Sequence, residues 1–317
     1  MGASYAQSSL VEDITLDARR IENFHIGRDT TRFGPLEFVG GLSLSGPGDF
    51  GAMSAIRFLD AGENFVGVTD TGFWFFGQIE RDAELGPVGM TEFRMMPMVD
   101  EAGEPIDGKW ETDAEGLSIS GDTATVSFER EHKIREFALE PDGMKGQTGT
   151  LDYLVPRAEL RNNRGFEAIA RAPDNGPLAG ARIAVTERSI DGDGNTFAAI
   201  LEGPLKGIFK VARSGDFDIT DGAFLPDGDL LLLERRFSMA TGVAMRLRRI
   251  EAGTIRPGSI ADGPVLLEAD MSYQIDNMEG LDVWRREDGA LIVSIVSDDN
   301  HSILQRNLYL EFVLTEE

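Results

Sequence analysis

Cysteine is absent from the 317 residues, which excludes disulfides, thiolate metal ligands and cysteine nucleophiles and leaves the redox compartment open. Histidine is scarce: His25, His132 and His301 are scattered, and no two are close enough in sequence to suggest a paired metal site. With no GxSxG elbow either, a serine–histidine–acid triad is set aside. Basic residues are few. Thirty Lys and Arg against fifty-five Asp and Glu give a formal net charge of −25, so nucleic acid and anionic membrane surfaces are repelled unless a local basic patch or a cation intervenes. No apolar run approaches the roughly 18 residues of a membrane span, and no membrane insertion is expected. The length admits two ordinary domains or one large all-β domain, either able to bury a sizeable core.

What the chain does contain is a recurring pattern. MSAIRFLDAGENFVGVTDTG starts at residue 53, AEGLSISGDTATVSFER at 114 and FEAIARAPDNGPLAGARIAVTER at 166; TDGAFLPDGDLLLLERR at 220 and MEGLDVWRREDGALIVSIVSDDN at 278 complete the series. Each reads as a strand, a Gly-, Asp- or Asn-rich turn, and a second strand ending in an acidic residue. Anchored on Ser54, Glu115, Glu167, Asp221 and Glu279, successive repeats lie 61, 52, 54 and 58 residues apart, a period that suits a four-stranded propeller blade. Runs such as FWFFGQIE, KIREFALE and AMRLRRIEAG supply third and fourth strands, and no long segment has a helical period. The expectation is an all-β chain: one β-propeller over residues 13–317 with five recognisable blades, room for a sixth in the wrap-around segment, and closure by N-terminal strands from ITLDARRIENF or LEFVGGLSLS. Closure of that kind removes exposed edges, so a monomer is expected.

The start, MGASYAQSSL, has no basic or apolar region, yet SYA before Gln resembles the small-residue end of a signal peptide. A trimmed secreted protein with an unstructured stretch over 1–12 is expected, located in the periplasm or outside the cell; a cytoplasmic protein with a frayed start is the alternative.

In a propeller the first strand of each blade lines the central channel, so Glu115, Glu167, Asp221 and Glu279 are expected to converge. Crowded carboxylates must take up protons, separate or bind a cation, and oxygen-only ligands favour calcium first and magnesium second. The alternative is a set of ordinary strand-end acids around a water-filled channel. A second series, Asp70, Glu129, Glu187, Glu234 and Asp298, closes the inner hairpins. Three of its members are followed by Arg130, Arg188 and Arg235, and together they could form a mixed cup for an anionic oxygen. Ion pairing between blades is the bland explanation for any single pair. Asp70, Glu129 and Asp298 are read as substrate-binding, and Glu187, Glu234, Arg130, Arg188, Arg235 and His301 as candidates for catalysis.

Other signals weigh less. The run from Asp191 to Glu202 has acids and Asn195 at calcium-loop positions, but Thr196 stands where the sharp-turn glycine belongs, so a strand-to-strand turn is the better reading. GPGDFG at 46–51 lacks the lysine and helix of a phosphate loop. Met95, Met96 and Met98 look like packing residues.

VGGLSLSGPGDFGAMSAIRF with VTDTG, DAEGLSIS with SFER, GFEAIA with VTERS, and NMEGLDVW with VSDDN resemble the phytase-like family described as having esterase-like activity, a secreted bacterial β-propeller group. The resemblance runs from about residue 36 to the C-terminus. It implies a propeller outside the cytoplasm that hydrolyses phosphate or other esters with calcium. Three departures stand out: Ser54 replaces a carboxylate in the first repeat, Asp221 shortens the acid of another, and no lysine-rich phosphate cradle is present, which favours an ester less charged than inositol hexakisphosphate. The expected function is a calcium-dependent hydrolase of a small phosphoester or related ester at the channel. The alternatives are a non-catalytic ligand-binding propeller with a structural calcium and a lactonase-like propeller.

Overall fold

Short apolar runs broken by aspartate turns produce strands and almost nothing else. The computed structural model describes residues 11–106, 108, 110–161 and 164–315, and in them helix is limited to one 3-10 turn, Ala252–Thr254. Aspartate side chains build many of the turns. Asp60 Oδ1 accepts the backbone N–H groups of Gly62, Glu63 and Asn64 at 3.1, 2.8 and 3.0 Å, and Asp191 does the same for Asp193 and Asn195, both at 2.9 Å. The calcium-loop-like run is therefore a hairpin turn between Arg182–Ile190 and Thr196–Ile200.

Five sheets form a five-bladed propeller, antiparallel throughout except where Ile260–Ala261 pairs parallel to Gly207–Val211 on the edge of blade three. The inner strands are Met53–Phe58, Ala114–Ser120, Phe166–Arg171, Asp218–Phe224 and Asn277–Arg285, and each touches the next until the fifth meets the first. Blade five is completed by the start of the chain: Leu36–Ser45 pairs with Asn307–Leu314, and Asp17–Ile21 pairs outside it. The two segments expected to close the ring do so, and they are outer strands of blade five, so no sixth blade forms. Residues 1–10 of the expected unstructured start lie outside the described residues, but Glu12 already pairs with Met95 on the edge of blade one. Apolar side chains fill the seams between neighbouring blades. Trp74 meets Phe137 edge-on between blades one and two, and Phe24, Phe38 and Phe312 pack with Leu231, Leu233 and Leu247 between blades four and five. Met95, Met96 and Met98 are buried in these seams.

The glycine after the anchoring glutamate has a packing reason. A Cβ at Gly116 would stand 2.3 Å from the Glu167 carbonyl oxygen and 2.8 Å from the Ile169 amide nitrogen, both on the inner strand of the next blade. Blades two and three can approach this closely only without a side chain there. Gly116→Ala is expected to destabilise the protein by about 1–3 kcal/mol in denaturant unfolding, since rigid backbone has to move; an unchanged midpoint would contradict the close approach.

Candidate functional site

All five inner strands begin at the same end of the channel, and each breaks its ladder near that end. Register slips single out Ser54, Glu167, Thr220 and Glu279 in blades one, three, four and five, and fall between Ala114 and Leu117 in blade two, around Glu115. A bulge leaves one residue unpaired and re-aims its side chain. In blade four the bulged residue is Thr220. Asp221, expected in the ring, is one position further on, and its side chain turns into the interior of the channel. There it accepts from Arg57 Nη1 and Nη2 at 2.8 and 2.9 Å and from the Leu281 and Gly222 amides at 2.8 and 2.7 Å, entirely buried.

The second strands show the same offset. The amides of Asp70, Glu129 and Glu187 bond the carbonyls of Ala52, Asp113 and Gly165, and Asp298 pairs with Asn277. In blade four that place belongs to Arg235, opposite Asp218. Glu234 is therefore not at the mouth. It is buried under Arg246 and Arg248, and Arg248 is fixed in turn by Asp262 and the Ala212 carbonyl, both at 2.7 Å. Residue type suggested an acid at both blade-four positions, whereas strand register supplies a threonine and an arginine.

The other acids come together. One oxygen from each of Asp113, Glu115 and Glu129, and one from each of Glu129, Glu167 and Glu187, lie within 4.8 Å of one another, so the two groups share Glu129. Burial and like charge raise their proton affinity. Glu167 is pushed well above the usual carboxylate range by burial and then by Glu115, Glu129 and Glu187; Glu115 is pushed well up by burial, then Asp113 and Glu129. Burial with the Glu187 and Asp113 charges raises Glu129 to about 8. Burial lifts Glu279 to about 7 against the pull of Arg235, and Asp298 to about 7, with Asp70 adding to the rise. Carboxylates so arranged suit a hard divalent cation, whose charge relieves the repulsion that protons otherwise relieve.

Arginines edge the ring. Arg235 Nη2 lies 3.3 Å from Glu279 Oε1 and 3.8 Å from Glu187 Oε1, and Asn277 Nδ2 donates to Glu279 Oε1 at 2.8 Å. Arg130 pairs with Asp113 at 2.7 Å and stacks 5.5 Å over the Trp110 ring. Arg188 reaches Asp218 at 3.5 Å. His301 is exposed on the loop after Asp298 and, with Asp70, lines a cavity beside the ring. Asp113 and Asp218 were not singled out from sequence. The available signal was their place, two residues ahead of Glu115 and Thr220 in DAE and DIT, matched by Asn277 ahead of Glu279.

A family model, Phytase-like, described as esterase-like activity of phytase, matches residues 48–301. No curated protein sequence matches the chain. Among solved structures, an endo-arabinase from Bacteroides thetaiotaomicron is 13% identical, with 85% of this chain and 96% of that one covered and a TM-score of 0.49. Glutaminyl cyclase from Myxococcus xanthus is 13% identical, with 89% and 97% covered and a TM-score of 0.45. Likenesses this distant carry no argument about activity.

Proposed function

The chain belongs to the phytase-like family, and on that premise we propose that it is a calcium-dependent hydrolase of phosphate or related esters, acting at the acid-lined mouth of the propeller. The observation that carries this proposal is the pair of three-carboxylate groups sharing Glu129. Asp113, Glu115, Glu129, Glu167 and Glu187 would hold the cation, with magnesium the second choice. Bound there, a divalent ion supplies Lewis acidity and a water of lowered pKa.

The side chains around it divide the remaining work. Arg235 sits on the blade-four side, with Arg188 and Arg130 further out, and their guanidinium forks suit an anionic phosphoryl or acyl oxygen. Glu279 stands outside both three-carboxylate groups, held by Arg235 and Asn277, and burial keeps its pKa near neutrality. It is suited to take a proton from water as the water oxygen bonds to phosphorus or acyl carbon. The bond to the alcohol oxygen breaks, and Glu279 returns the proton to the leaving alkoxide. A secreted or periplasmic location fits, because cation sites of modest affinity fill at extracellular calcium levels.

The test is metal analysis of the purified protein together with phosphomonoester, phosphodiester and acetate hydrolysis, with and without a chelator. Glu279→Gln is expected to retain the cation while slowing turnover by about a hundredfold. Turnover that persists undiminished in chelator would refute the proposal.

A further inference from the structure

Beside the acid ring lies a cavity of about 870 Å³ whose lining is mixed. Asp70 and His301 contribute polar groups, and Phe73, Pro97, Pro105 and Ile106 contribute apolar surface. Asp70 is shared with the ring, because its charge raises the proton affinity of both Glu115 and Asp298. The same inter-blade segment that carries Pro105 and Ile106 also carries Trp110, which is 61% exposed, and Arg130 links that ring to Asp113 in the carboxylate cluster. An exposed tryptophan and an apolar-walled cavity therefore flank the acidic mouth, at a position where a charged substrate would have no use for them. A larger cavity, about 990 Å³, lies away from the ring, around the turn after the blade-one inner strand, where acids such as Asp60, Glu63 and Glu80 are interspersed with Arg81, Arg286 and Leu85.

We infer that the cavity beside the ring is a subsite for the alcohol half of the substrate, and that the preferred substrates are esters of compact apolar alcohols, aryl or arylalkyl, in place of polyphosphorylated polyols. The inference rests on the proposed hydrolase function for the orientation, with the anionic group at the carboxylates and arginines and the apolar group towards Ile106 and Pro105. Asp70 and the ring acids beside the cavity repel a second phosphate, and the apolar lining gains from removing hydrocarbon from water.

Binding of 3-phenylpropylphosphonate and ethylphosphonate to the full chain with calcium, measured by calorimetry, tests this without turnover. The phenylpropyl compound should bind about 10- to 100-fold more tightly. Pro105→Asp, at an exposed proline with no N–H to lose, and Ile106→Asp should each bring the ratio towards one. Equal affinities, binding of neither compound, or a preference that survives both substitutions overturns the subsite. If the phosphonate preference is present but 3-phenylpropyl phosphate is never hydrolysed, the hydrolase function fails and the subsite stands.

Discussion

Asp221→Asn should lower the free energy of unfolding by about 3–5 kcal/mol while leaving cation stoichiometry unchanged. The Asp221 carboxylate is fully buried and takes donors from both Arg57 guanidinium nitrogens and two backbone amides. Arg57 also donates to the carbonyls of Ile56 and Leu281 at 2.7 and 2.6 Å, so the pair ties the inner strands of blades one, four and five together across the axis. Removing the charge from one partner leaves the guanidinium buried without its counter-ion, and the desolvation already incurred is no longer offset. Leu281 and Gly222 donate to different oxygens of the carboxylate, so the single amide oxygen keeps an acceptor for only one of them, and the loss reports the missing charge together with one unpaired N–H. The double substitution, Arg57→Met together with Asp221→Asn, should recover part of it, because the uncompensated cation is gone. Equilibrium unfolding in urea together with metal analysis separates the outcomes. Retained stability with lost cation uptake would return Asp221 to the acid ring and overturn the blade-four register.

The cation-free protein should become less stable as pH rises from about 5 to 8. Carboxyls in an unfolded chain titrate near pH 4, whereas Glu129 is held at about 8, and Glu279 and Asp298 at about 7. Between those limits the folded state carries protons that the unfolded state has released, so raising the pH favours unfolding. The stabilisation is complete below about pH 4 and disappears as pH passes through 7 to 8. Each tenfold gain in proton affinity on folding is worth about 1.4 kcal/mol per group, so the total is several kcal/mol, or a fall in Tm on the order of 10 °C. Calcium at pH 8 should restore the low-pH Tm, since the ion quenches the same repulsion and binds the folded state alone. Sodium chloride at high concentration should not replace it, because screening acts weakly on buried charges. Thermal unfolding across pH in chelator, with and without added calcium, reads this directly. A flat profile, or one that rises with pH, would mean that the acids at the mouth do not repel one another as their placement requires.

Repetition was legible without any structure. Glu115, Glu167 and Glu279 each precede a small residue at the start of an apolar run, and hairpins of similar length follow, so five repeats and the inner-strand position of these acids could be read along the chain, with a sixth blade left open. The closing strands were legible too, because an incomplete last repeat leaves hydrogen-bonding groups that only the unassigned N-terminal runs could satisfy. Asp221 and Glu234 were placed by residue type, and that failed in blade four, where a one-residue difference in register puts Thr220 and Arg235 at the mouth. Side chains alternate faces along a strand, so a shift of one residue moves a carboxylate from one environment to the other. Nothing in a single repeat reports that shift. It depends on where the neighbouring strand begins to pair and on Arg57, 164 positions away in sequence, whose guanidinium meets Asp221 inside the channel. The sequence by itself determined the strand-rich character of the chain and its five visible repeats, because these follow from local periodicity, while the absence of a sixth blade came from the pairing of the N-terminal strands. Only the tertiary structure decided which acids share Glu129, which one pairs with Arg57 inside the channel, and where a partly apolar cavity opens beside them, because each of these depends on contacts between blades.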